Sequence, residues 1–151
     1  MNPRIWMITT LAALCFLPAT FLFSQTGNVK QPKDTTMIPA KEKLVVLWTS
    51  GDREVALKML FMYTYNAKKN HWWEDITLVV WGPSARLLSE DTELQETTKK
   101  IIESGVEVRA CKGCADQYGV SDKLEELGIT VLYIGKEFTD YIKEGRHILT
   151  I

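Results

Sequence analysis

Histidine is nearly missing from this 151-residue chain, which has only His71 and His147, and cysteine is confined to Cys15, Cys111 and Cys114. A structural zinc site takes four ligands. These few residues are too scattered to supply them, so no metal is expected, and both histidines read as surface or edge residues. Charge of one sign is not in excess either: eighteen Lys and Arg stand against nineteen Asp and Glu, a net charge of −1. The basic cluster that binds nucleic acid through its phosphates is therefore absent. No Gly-rich phosphate loop, Ser-His-Asp arrangement or paired-carboxylate motif is evident. Nucleotide-dependent and hydrolytic chemistry have little support, and no cofactor is expected.

Long apolar runs are also lacking, with one exception that stops short of a membrane span. Ile8 to Phe23 carries no charge, follows the single basic residue Arg4 and is interrupted by Pro18; a span needs ~20 apolar residues. The pattern is that of a secretory signal, with an expected boundary between Ser24 and Gln25. Removing residues 1–24 takes away Arg4, Cys15 and no acid, so the net charge becomes −2 and two cysteines remain. The expected location is outside the cytoplasm, periplasmic or secreted, with no stable membrane contact after cleavage. Residues 25–42 are polar, hold Pro32 and Pro39 and show no apolar period, so they read as a flexible tether. Residues 43–151 form one domain, large enough for a single core.

Within that domain short apolar runs alternate with helix-period segments. Leu44 to Thr49, Ile76 to Trp81, Val106 to Ala110 and Ile129 to Ile134 read as strands buried on both faces, and His147 to Ile151 as a last strand. Between them, Arg53 to Asn70, Thr92 to Ser104, Lys112 to Tyr118, Asp122 to Leu127 and Lys136 to Glu144 read as helices, with Asp91 and Ser121 as N-caps. The expected fold is α/β: a mostly parallel sheet of about five strands with helices on both faces and right-handed crossovers. Ligands of such sheets bind beyond the carboxyl ends of the strands. Here those ends carry Ser50, Gly51 and Asp52, then Trp81 and Gly82, then Cys111, Lys112 and Cys114. Asp52 reads equally as a helix cap and Trp81 as packing. Val55 to Tyr63 is apolar on nearly every side, which predicts a helix buried all round. One face would meet the sheet and the other a second subunit, with Trp72 and Trp73 as anchors.

The most distinctive motif is Cys111-Lys112-Gly113-Cys114 at the end of the third strand run. A cysteine entering a helix meets unpaired N–H groups and the positive end of the helix dipole, which favour thiolate. Lys112 and Arg109 are expected to act in the same direction. Outside the cytoplasm the pair could instead stay closed as a disulfide. The loop it would close is short, contributing only about 2 kcal/mol by loop entropy, so a purely stabilising clip is a weak reason for it.

The chain resembles the DsrE/DsrF-like family, small α/β proteins that include sulfur-relay subunits. The resemblance spans about Lys43 to Ile151 and rests on Ser50-Gly51-Asp52, Trp81-Gly82-Pro83 leading into Ser84-Ala85-Arg86-Leu87-Leu88, Cys111, Tyr118-Gly119-Val120 and Leu127-Gly128-Ile129, in that order. It implies an oligomeric protein in which Cys111 carries sulfur as a persulfide and hands it to a partner thiol. Cys114 would be a resolving thiol. The export signal and the second cysteine depart from the best-known relay proteins. Two other readings stay open: a thiol-disulfide oxidoreductase using Cys111 and Cys114, and a non-enzymatic oligomeric binding module.

Overall fold

Five aliphatic and β-branched runs become the five strands of one parallel sheet: β1 (Lys43–Trp48), β2 (Asp75–Val80), β3 (Glu107–Cys111), β4 (Thr130–Leu132) and β5 (His147–Thr150), in the order β4-β3-β2-β1-β5. The structure, a computed structural model, describes residues 39–151. The expected signal at 1–24 and most of the tether at 25–42 lie outside the described residues. The tether's last residues, Ala40–Glu42, form a 3-10 turn whose Glu42 carbonyl accepts from the Glu74 N–H at 3.1 Å.

The strand order dictates how the helices divide. From β1 to β4 every connection steps the same way across the sheet, so right-handed crossovers put the intervening helices on one face. The connection from β4 to β5 steps back across the whole sheet, and its helix lands on the other. The first face carries α1 (Arg53–Val55), a π-helical stretch (Ala56–Phe61), α2 (Met62–Lys69), α3 (Pro83–Glu90), α4 (Thr92–Glu103), α5 (Lys112–Tyr118) and α6 (Ser121–Glu126). The second carries α7 (Ile134–Lys143) alone among the described residues. Alternation along each strand follows: Leu44, Val46, Trp48, Ile76, Leu78 and Val80 enter the large core, while Val45, Val79 and Cys111 face α7.

Several local expectations need correction. The run Ile129 to Ile134 is strand only over Thr130–Leu132, because Ile134 already begins α7 with Phe138 and Tyr141 on its apolar face. A helix at Pro83–Glu90 was not anticipated, although Pro83 at its first position is a start signal. Asp91 does cap α4, accepting from the Leu94 N–H at 3.0 Å. Ser121, by contrast, is the first residue of α6 and not its cap, and its hydroxyl donates to Asp116 at 2.7 Å. Nor is the first helical segment buried all round. Ala56, Leu60 and Phe61 are buried, but Met59 is 48% and Met62 58% exposed.

Candidate site at the end of β3

β3 runs into α5 with no intervening loop: Cys111 is both the last residue of the strand and the N-cap of the helix. Strand alternation turns its side chain toward α7, where it packs with Val45, Val79, Ile134 and Tyr141 and is only 9% exposed. Cys114, one turn into α5, lies at the edge of the same cluster and is half-buried. Both are free thiols of the same cluster, one helical turn apart.

This placement overturns the expected thiolate. Burial pushes the Cys111 thiol up, because the charged form loses hydration. The N–H groups of Cys114 and Gly113 act in the opposite sense but do not prevail. The two expected cations are engaged elsewhere. Lys112 pairs with Asp116 at 2.8 Å, and Arg109 is held by Glu107 and by Glu137, the latter at 2.9 Å. Tyr141 adds its hydroxyl to the Glu137 carboxylate, so β3 and α7 are joined by a partly buried polar cluster directly behind the cysteines. Burial also raises the Tyr141 phenol, followed by its bond to Glu137.

The other candidate residues divide into two groups. Trp81 joins the cysteine cluster, its ring set edge-on to Phe138 at 5.6 Å. Its backbone is fixed by Ser84, whose buried hydroxyl donates to the Trp48 carbonyl at 2.7 Å and accepts from the Trp81 N–H at 3.0 Å. Gly82 takes the positive φ of 75° that turns β2 into α3. Ser50, Gly51 and Asp52 leave β1, two strands away from Cys111 in the sheet. Asp52 caps α1 through the N–H groups of Glu54 and Val55, at 2.8 and 3.0 Å. Ser50 accepts from the Asp52 N–H at 3.1 Å, and Gly51 lies where a Cβ would approach Pro83 to 3.2 Å. That loop builds the turn into the first helix.

Sequence reasoning missed the wall contributed by β4 and α7. Leu132 and Phe138 close the cysteine cluster, and Tyr133, 70% exposed, sets its ring 4.0 Å from where a Cβ on Gly113 would stand. The Lys112 ammonium lies 5.9 Å from the centre of that ring. The signal was the helical spacing Ile134, Phe138, Tyr141 beginning straight after a strand run that masked it. Trp73, expected at a subunit contact, is engaged within the chain: its indole donates to the Tyr63 hydroxyl at 3.2 Å and packs against His147. Trp72 stays 55% exposed. Among the described residues no cluster of His, Cys, Asp or Glu is arranged to hold a metal, and no helix is long and apolar enough to cross a membrane.

Three solved structures share this architecture. A conserved protein of unknown function from Bacteroides thetaiotaomicron is 37% identical, with a TM-score of 0.74 over 76% of this chain and 99% of the other. A protein of unknown function from Methanobacterium thermoautotrophicum is 21% identical, with a TM-score of 0.61 over 72% and 98%. The YchN protein of Escherichia coli is 18% identical, with a TM-score of 0.53 over 72% and 98%; these last two likenesses show the fold alone. No curated protein matches the chain. The model of the DsrE/DsrF-like family matches residues 42–151, the whole of the sheet and its helices, and the chain belongs to that family.

Proposed function

We propose that this protein is an exported sulfur carrier that holds sulfane sulfur on Cys111 as a persulfide and passes it to a partner thiol. The observation that carries the reading is the pair itself: two free thiols in one cluster at the carboxyl edge of the sheet, walled by Trp81, Leu132 and Phe138. A persulfide needs no metal or acid-base machinery to move. A donor R–S–SH gives its outer sulfur to a thiolate, the donor S–S bond breaks, and R–S⁻ leaves and takes up a proton, with no net oxidation. An apolar wall limits access by water and competing thiols while the sulfur is held. Dithiol-disulfide exchange is the second reading, favoured by two free thiols one helical turn apart in the same cluster.

Intact mass after treatment with glutathione persulfide tests the choice. The carrier reading expects one added sulfur atom at end point in the wild type and in Cys114→Ser that survives a brief wash with free thiol, and none in Cys111→Ser that survives the same wash. Loss of two hydrogens with no sulfur retained in any form would replace it with the exchange reading. Export from residues 1–24 expects a mature chain beginning at Gln25 in the extracytoplasmic fraction. A full-length chain found only in the cytoplasm would overturn it.

A further inference from the structure

We propose that Cys114 is the port of this site and Cys111 its store: incoming sulfur is taken first by the outer cysteine and then moved inward to the buried one. The inference rests on the carrier reading for the cargo, but the order of the two thiols follows from their placement. Cys111 ends a central strand, is covered by Ile134 and Tyr141, and leaves 9% of its surface to solvent. That exposure leaves a donor as bulky as a protein or peptide persulfide little of Cys111 to reach while α7 stays in place. Cys114 is half-buried at the edge of the same cluster, on the first turn of α5. Its rim is the exposed ring of Tyr133 against Gly113 and the Lys112 side chain beside that ring.

The thiol chemistry agrees with the placement. Burial keeps Cys111 protonated at neutral pH, so it is a poor first nucleophile. The inner transfer is then an exchange between neighbours. Cys114–S⁻ attacks the outer sulfur of R–S–SH, R–S⁻ leaves and takes a proton from solvent, and Cys114–S–SH forms. Cys111 then attacks that outer sulfur. Its proton passes to the departing Cys114 sulfur, its neighbour in the same cluster. Cys111–S–SH and a Cys114 thiol result, with no change in overall oxidation state. Delivery to a partner is the same pair of steps in reverse.

Two measurements test this and separate it from the cargo. In the reduced wild-type protein, brief iodoacetamide treatment followed by peptide mapping is expected to label Cys114 at least tenfold faster than Cys111; equal or faster labelling of Cys111 would overturn the port. With glutathione persulfide, Cys114→Ser is expected to load at least tenfold more slowly than wild type yet reach the same end point. Loading of Cys114→Ser at the wild-type rate would equally overturn it. If no form takes up sulfur, the carrier reading fails by itself, and the alkylation ranking still decides which thiol exchanges first.

Discussion

Asp52 stands at the end of β1 with its carboxylate accepting from two N–H groups of the first turn of α1. Those contacts decide between its two readings. Asp52→Ala is expected to cost about 1 kcal/mol of stability, the usual worth of an N-cap, with Asp52→Asn close to wild type and the alkylation of Cys111 and Cys114 unchanged in both. Denaturant unfolding beside alkylation rates checks this; a changed thiol rate would make Asp52 part of the site. Cys111 carries the opposite lesson. Its place at the end of a strand was legible from Val106 to Ala110, but its protonation was not, because the burial that raises its pKa comes from Ile134 and Tyr141, remote in sequence. In the wild-type protein, the alkylation rate of Cys111, followed by peptide mapping, is expected to rise with pH to a midpoint above the ordinary cysteine value of about 8.5. The sign follows from burial disfavouring the thiolate. A midpoint near or below neutrality would mean that the N–H groups of α5 outweigh burial.

At the scale of elements, β1 and β2 were legible because they are buried on both faces and read as apolar runs; β3, β4 and β5, buried only in part, were legible as short β-branched runs closed by turn signals. Helix boundaries were harder wherever two elements abut without a turn signal, as at Leu132 to Ile134 and at Pro83. The division of labour between faces could not be read from any single element, since it depends on the strand order. That order leaves α7 to cover the second face unaided among the described residues, and Ile134 is its fully buried anchor. Ile134→Ala is expected to destabilise by about 2–5 kcal/mol, as cavity-forming substitutions do. Leu94→Ala, buried in α4 on the other face, falls in the same range. Only Ile134→Ala is expected to speed alkylation of Cys111 under conditions where both variants remain folded. Equal acceleration by both would show that labelling proceeds through global unfolding and not past α7.

At the scale of the whole molecule, the described residues present an exposed apolar strip: Met59, Met62 and Tyr65 on the first helical segment, with Trp72 beyond its end. Apolar side chains scattered singly need no explanation, but a contiguous row of this kind marks a contact surface. Leu57, Phe61, Asn66, Thr97, Lys100 and Ile101 continue it into a shallow groove between α2 and α4, with a cavity of about 370 Å³. We propose that a second copy of the chain covers this strip. Trp72 replaces the expected Trp72 and Trp73 pair as its aromatic anchor, because Trp73 is already engaged by Tyr63 and His147. The cysteines lie at the end of β3 and face α7, whereas the strip belongs to helices on the opposite side of the sheet. Association and thiol chemistry are therefore separable. Met62→Glu puts a charge into the strip at a residue already 58% exposed, so the isolated fold is expected to keep its stability while the sedimenting species falls to a single chain. Alkylation of Cys114 should not change. An unaltered oligomer in Met62→Glu would move the contact elsewhere, to the sheet face that α7 leaves partly open at Leu47 and Ile148.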